Sequence, residues 1–428
     1  MTYSQALEYF QRLQLSGINL GLGRVKKILK KFNNPESGLS VIHIAGTNGK
    51  GSVAKFIASI LQSAGYRVGL YTSPHLKDIR ERIQINEKYI SRKDFTRLVE
   101  QVKSFNYEGK DSLTYFEFLT IIAFLYFSQK EVNFGVLETG MGGRLDATNV
   151  IKNPLVSVIT NIDYDHQQFL GRDLRAIARE KAGIVKKNSL VLTGEKRKML
   201  LNLLQKVCQQ KRTKIFQLRK DIYFSRTDGG FNYRGIFRNF DNLHIRMKGA
   251  HQFENASLAI GAVEALKFHK IEISGKAIRR GLEKAEWPGR LEERYLTVGR
   301  KRVRIILDGA HNLAGMRCLR RYLEENNLKD IIFILGFLKD KLITKMLRII
   351  SPIAGKVILT MPVSPRAATV ERVSKKAKLC LGRTEILLSP RIEEVVEIAR
   401  HNLGRGNVVC ITGSLYTVAG AMEVINDL

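Results

Sequence analysis

With 428 residues the chain is too long for one hydrophobic core, so two domains are expected. Its apolar fraction of 44% is that of a globular protein, and its longest apolar stretch, Phe118 to Phe127, is interrupted and too short to span a membrane. Lys and Arg outnumber Asp and Glu by 71 to 40, giving a net charge of +31 that suits anionic ligands; no zinc-ligand spacing, RNP-type aromatic motif or heptad repeat accompanies it, so no specific nucleic-acid partner is expected.

The N-terminus carries Glu8 early and has no apolar h-region, which reads as neither signal nor transit peptide, and a cytoplasmic location is expected. Cys208, Cys318, Cys380 and Cys410 are scattered without paired spacing and read as free core thiols in a reducing compartment. The basic run Arg24 to Lys31 has apolar residues at 25, 28 and 29, the spacing of a helix with a solvated lysine face.

The run Val41-Ile42-His43-Ile44-Ala45 then reads as a buried strand, followed by Gly46-Thr47-Asn48-Gly49-Lys50-Gly51-Ser52 and a helix over 52–64. Backbone N–H groups in such a loop cradle phosphates, and the helix start adds partial positive charge. Lys50 supplies a mobile charge, and the Ser52 hydroxyl can ligate Mg²⁺. An extra glycine separates Lys50 from Ser52 relative to G-x-x-x-x-G-K-[ST], and a glycine-rich turn without a phosphate role is the alternative.

Further strands are expected at 68–72, 134–138, 156–160 and 190–193, alternating with helices at 92–104, 115–130, 172–186 and 197–211. This order predicts a mostly parallel sheet covered by helices. Between 214 and 248 short alternating runs at 223–225, 231–233 and 244–246, broken by Asp228-Gly229-Gly230, predict a small antiparallel appendage. Helices return at 251–268 and 275–285. The breaker Glu286-Trp287-Pro288-Gly289-Arg290 precedes a second α/β series with strands at 303–308, 331–336, 356–361, 384–388 and 407–412. This second part reads as Rossmann-like without a G-x-G-x-x-G fingerprint, and a ligand bound between the domains is the default expectation.

Several strand ends carry chemistry. Glu138 closes one strand ahead of Thr139-Gly140-Met141-Gly142-Gly143-Arg144-Leu145-Asp146, where it can hold Mg²⁺ or act as a cap or surface charge. Asn161-Ile162-Asp163-Tyr164-Asp165-His166 follows the next strand. Lys181, among small and apolar residues, is either an ion-paired lysine or a buried amine able to react with CO₂. Asp308-Gly309-Ala310-His311-Asn312 and Thr412-Gly413-Ser414-Leu415-Tyr416 end strands of the second series, with ordinary helix caps as the alternative.

These motifs, in order, resemble the folylpolyglutamate synthase and dihydrofolate synthase family of the Mur ligase superfamily. The resemblance also covers Tyr71-Thr72-Ser73-Pro74-His75-Leu76, Gly249 to Ala256 and Trp287 to Glu292, and the Gly-Lys-Gly-Ser spacing is that family's own form. It implies an α/β fold: an N-terminal P-loop Mur-ligase-type ATPase domain over 1–292, mostly parallel with a small antiparallel appendage, and a C-terminal Rossmann-like glutamate-ligase domain over 293–428. It implies that ATP phosphorylates a substrate carboxylate and that L-glutamate attacks the acyl phosphate. Asn48, Gly49, Lys50, Gly51 and Ser52 would bind the triphosphate, and Asn255, Arg290 and Asp308 the nucleotide. Ser52, Ser73, Glu138 and His166 would hold two Mg²⁺ ions, and Lys181 would be carbamylated. Lys50, Lys181, Asp146 and His311 would be catalytic, with Ser73, His311 and Ser414 on the substrate side. Gly21, Leu22, Gly23 and Arg24 resemble the pterin-side loop of members that also accept dihydropteroate, although Gly23 replaces an acidic residue common there. The expected substrates are dihydropteroate or reduced folates and L-glutamate, with both activities on a monomer that has no membrane partner. Polyglutamylation alone, another Mur-type ligase and a basic P-loop nucleic-acid-binding NTPase are the alternatives.

Overall fold

The structure, a computed structural model, describes every residue except 16, 107, 108, 110, 111, 299, 300, 402–407, 427 and 428. It divides into two compact units. The first comprises Met1–Arg246 and Gln252–Ala285, and the second Met247–His251 and Glu286–Leu428.

The first unit is built on an eight-stranded sheet. In chain order its strands are β1 (Val41–Ala45), β2 (Val68–Tyr71), β3 (Ile83–Ile85), β4 (Lys88–Tyr89), β5 (Phe134–Glu138), β6 (Val156–Ile159), β7 (Leu190–Thr193) and β8 (Ile215–Gln217). Across the sheet they run β4-β3-β2-β5-β1-β6-β7-β8. All pairings from β2 to β8 are parallel; β3 and β4 form an antiparallel edge. The central strands are buried on both faces, which explains why they read as continuous apolar runs. The helix Tyr115–Gln129 is buried around almost its whole circumference, and a Thr114–Glu117 capping box fixes its start.

The appendage is a separate three-stranded antiparallel sheet of β9 (Tyr223–Thr227), β10 (Gly230–Arg234) and β11 (Asn239–Leu243). Asp228 and Gly229 form its two-residue hairpin loop, with Gly229 at φ +81°. Two expectations for 214–248 need correction. Ile215–Gln217 joins the main sheet in parallel, and the third appendage strand is Asn239–Leu243 instead of 244–246, because Phe240 and Leu243 provide the buried side chains. The helix expected over 172–186 spans only Leu174–Ala182. A Cβ on Gly183 would lie 2.3 Å from Arg144 Cα, so the helix end there packs directly on the loop after β5.

The second unit has a six-stranded sheet of β12 (Glu292–Val298), β13 (Lys301–Leu307), β14 (Ile331–Leu335), β15 (Ala354–Leu359), β16 (Glu385–Leu388) and β17 (Val408–Thr412), ordered β12-β13-β17-β14-β15-β16. Only β12, which the sequence pattern did not indicate, is antiparallel to its neighbour. Cys208 and Cys410 are buried, whereas Cys318 and Cys380 are half-buried, so two of the four free thiols lie outside the core.

Candidate active site

The turn after β1 is fixed by close backbone packing. A Cβ on Gly46 would fall 1.8 Å from Thr160 Oγ1, and one on Gly49, at φ +83°, would fall 2.5 Å from Asn255 Oδ1. The loop is bonded to the segment after β6. Thr160 Oγ1 donates to Asn48 O at 2.7 Å, Asn48 N–H donates to Asn161 Oδ1 at 2.9 Å, and Asp163 N–H donates to Thr47 Oγ1 at 2.8 Å. The helix Lys50–Ser63 begins directly behind the loop, so its first N–H groups face the turn.

Two lysine amines converge beneath this loop. Lys181 Nζ donates to Gly46 O at 2.7 Å, and Lys50 Nζ donates to the same carbonyl at 3.2 Å and to Thr47 O at 3.3 Å. Lys181 is buried and forms no ion pair among the described residues, which removes the ion-paired reading of its sequence context. Burial, reinforced by the Lys50 charge, lowers its pKa to about 7, against the pull of Asp165 and Asp146.

Glu138, buried at the end of β5, accepts the Ser73 N–H at 3.1 Å and lies 3.9 Å from Lys50 Nζ. Ser52 is buried and accepts from Gln252 Nε2 at 3.3 Å; Gln252 Oε1 in turn accepts from Asn255 Nδ2 at 2.9 Å. The sequence motifs did not single out Gln252, although it lies within the quoted Gly249–Ala256 stretch. His166 adopts φ +49°, and its ring lies 3.8 Å from the Asp165 carboxylate. Among the described residues, no group of three or more His, Cys, Asp or Glu side chains is arranged to hold a metal.

Other predicted residues are engaged elsewhere. Both Asp146 oxygens face their own loop: Oδ2 accepts from Met141 N–H at 2.8 Å, and Oδ1 accepts from Thr148 N–H at 3.0 Å and Thr148 Oγ1 at 2.6 Å. Because the Thr148 hydroxyl donates to Asp146, the buried His43 Nε2, 2.8 Å away, donates to it. Burial pushes the His43 pKa down to about 3, so the ring is neutral. Arg24 makes a two-pronged contact with buried Glu117, at 3.1 and 2.9 Å, and also donates to Asn19 O at 2.6 Å. Leu22 precedes, and Gly23 begins, the helix Gly23–Lys31; a Cβ on Gly21 or Gly23 would meet nothing within 4 Å.

In the second unit Asp308 follows β13. Its oxygens accept from Leu291 N–H and Ala310 N–H, both at 3.0 Å, and burial raises its pKa to about 6 against the opposing Arg290 charge. His311 Nδ1 lies 2.9 Å from Gly309 O, and Asn312 caps the helix Leu313–Glu325. Ser414 is 1% exposed, and its hydroxyl accepts the Thr417 N–H at the start of the helix Leu415–Asn426. Its place in the fold is that of a buried helix cap.

The family model for the Mur ligase middle domain matches residues 44–263, and that for the Mur ligase glutamate ligase domain matches 289–415. A dihydrofolate synthase/folylpolyglutamate synthase from Bacillus subtilis is 33% identical, covering 97% of each chain. The crystal structure of Escherichia coli FolC in complex with DHPP and ADP is 29% identical, with a TM-score of 0.88 over 100% of this chain and 98% of that one. The bifunctional folylpolyglutamate synthase/dihydrofolate synthase structure with Mn, AMPPNP and L-glutamate bound is 28% identical, with a TM-score of 0.85 over the same shares. A glycine loop closed over the buried Lys181 and half-buried Lys50 amines, in a chain matching these relatives along nearly its whole length, leaves one conclusion: the protein belongs to the dihydrofolate synthase/folylpolyglutamate synthase family of Mur ligases.

Proposed function

We propose that the protein is an ATP-dependent ligase that joins L-glutamate to the carboxylate of dihydropteroate or of a reduced folate, acting as both dihydrofolate synthase and folylpolyglutamate synthase. The observation that carries this reading is the convergence of Lys50 and Lys181 on the Gly46 carbonyl, 3.9 Å from Glu138 at the Lys50 end. A carboxylate is a poor electrophile. Transfer of the ATP γ-phosphoryl group to it gives an acyl phosphate, the glutamate amine attacks the acyl carbon, and phosphate leaves as the amide forms. Such chemistry needs positioning and charge neutralisation more than covalent help from the protein.

In this reading the N–H groups from Gly49 to Ser52 hold the triphosphate, with Asn48 fixing the loop through Asn161, and Lys50 swings from the loop carbonyls to the phosphates. Gln252 and Asn255 keep Ser52 and Gly49 in place. The donor set of Ser52, Ser73, Glu138 and His166 offers two hydroxyls, one buried carboxylate and one imidazole. That set suits Mg²⁺ ions that retain several waters, and Lys50 beside Glu138 marks a carboxylate placed to meet a cation. Bound there, the ions would offset phosphate charge. The neutral Lys181 amine adds to CO₂ and loses a proton, forming a carbamate that contributes a further carboxylate to this region. Asp146 acts by holding the loop from Met141 to Thr148. On the second unit, Arg290 and Asp308 are our candidates for nucleotide contacts and His311 for the glutamate side.

The test is a product assay with Mg·ATP, L-glutamate and either dihydropteroate or a reduced folate. Amide product from both acids is expected. Product from the folate alone would leave only polyglutamylation, and ATP hydrolysis without either amide would overturn the proposal.

A further inference from the structure

The neighbouring strands β2, β5, β1, β6, β7 and β8 run parallel, so the residues ahead of each share one edge of the sheet, opposite the edge that carries the glycine loop. Lys152 precedes β6, Lys187 precedes β7, and Lys211, Arg212 and Lys214 precede β8; these three strands are neighbours. Their starts are in register: Leu190 N–H donates to Leu155 O at 3.1 Å and Val191 N–H to Lys214 O at 2.9 Å. Lys270 joins them, since the adjacent His269 Nε2 lies 3.1 Å from Leu155 O. All six cations are exposed, and none forms an ion pair among the described residues, although the Lys152 charge acts on the half-buried Glu36 carboxylate. Half-buried Lys186 has its pKa lowered by burial and then by Lys211 and Lys26, so cation faces cation along this edge.

A ladder of aromatic rings accompanies them. Phe216 stacks on Phe268 with centroids 5.8 Å apart, and Phe268 meets Phe237 at 5.1 Å. Phe237 and Phe268 remain 43% and 42% exposed. Lys214 lies 5.0 Å over the Phe268 ring and Lys267 lies 5.3 Å over Phe237.

We propose that this edge of the first unit is a binding surface for single-stranded RNA, with the unpaired lysines on the phosphates and the exposed phenylalanines against unstacked bases. Lys187, Lys211, Arg212, Lys214 and Lys270, which lack carboxylate partners among the described residues, are the group a polyanion neutralises, and a run of rings favours strands whose base faces are free. An anionic membrane satisfies the lysines and also takes up projecting rings, but Phe237 and Phe268 are packed on one another and under Lys267 and Lys214 instead of projecting as an apolar wedge. The surface draws on none of the ligase residues, so it is independent of the proposed catalytic function.

The test is fluorescence anisotropy of the full chain with a labelled, unstructured 20-nucleotide oligouridine at several salt concentrations. The combined variant Lys187→Gln, Lys211→Gln, Arg212→Gln, Lys214→Gln should weaken binding at least about tenfold and reduce the salt slope by about 3. Phe268→Leu, which keeps an apolar side chain, should weaken it about fivefold while keeping the slope. As a charge control, Lys375→Gln, Lys376→Gln, Lys378→Gln on the helix Val370–Lys378 should change binding less than about twofold. Thermal unfolding of each variant checks that the fold is intact. Equal losses from the two charge variants, an unaltered affinity in Phe268→Leu, or binding of phosphatidylserine vesicles in place of RNA would each overturn the proposal.

Discussion

Lys181 shows how one buried amine ties stability to chemistry. Its pKa is about 7 in the folded chain against an ordinary 10.5. Between those values the unfolded chain binds a proton that the folded chain lacks, so stability rises with pH across that window, by at most about 1.4 kcal/mol per pH unit, and the slope vanishes below 7. Urea unfolding at pH 7.5 and 9.0 in CO₂-free buffer should show this rise in the native chain and lose it in Lys181→Met. Ligase activity in bicarbonate should fall as pH drops through 7, because a protonated amine cannot add to CO₂. Lys50→Ala should cost about 10²–10³ in turnover at saturating ATP with an unchanged circular dichroism spectrum, since it removes one preorganised charge. The sequence singled out both lysines from their motifs. It could not show that they share the Gly46 carbonyl, because that contact joins residues 135 positions apart across the sheet.

At the scale of elements, the loop after β5 depends on Asp146. Replacing it with Ala leaves the Met141 and Thr148 N–H groups without their acceptor, a loss of about 2–4 kcal/mol that a shift in unfolding midpoint should register. Gly281→Ala probes a different contact: the new Cβ would lie 2.4 Å from Ile60 Cα, forcing the helices Gly275–Lys284 and Lys50–Ser63 apart. A destabilisation of about 1–3 kcal/mol is expected, measured by denaturant titration. The buried parallel strands were legible because continuous apolar runs lie between turn residues. The short antiparallel edge of β3 and β4 was not, since three- and two-residue strands carry too little periodicity. Asp146, read from the motif as catalytic, and Ser414, read as a substrate-side group, also cap local backbone. A capping carboxylate or hydroxyl has the same sequence signature as a reactive one, so the capping role became visible only in the hydrogen-bond partners.

At the scale of the molecule, each unit has a hydrophobic core of its own, one around Phe10, Phe95 and Phe118 and another around Phe333, Leu347 and Val357. Calorimetry should therefore resolve more than one transition, with a van't Hoff enthalpy below the calorimetric value. Mg·AMPPNP at a hundredfold excess over its dissociation constant should stabilise the nucleotide-binding unit by about 2.7 kcal/mol, and an unmoved thermogram would contradict the nucleotide assignment. The chain does not complete one unit before starting the other. Met247–His251 belongs to the second unit although 34 residues of the first, Gln252–Ala285, follow it, and Lys248 in this short stretch pairs with Glu293. During synthesis, then, a piece of the later unit leaves the ribosome ahead of the last helices of the earlier one and waits there for its partner residue. A nascent chain halted just past Ala285 holds Lys248 without Glu293, so neither unit can be obtained whole by cutting the gene at a single point.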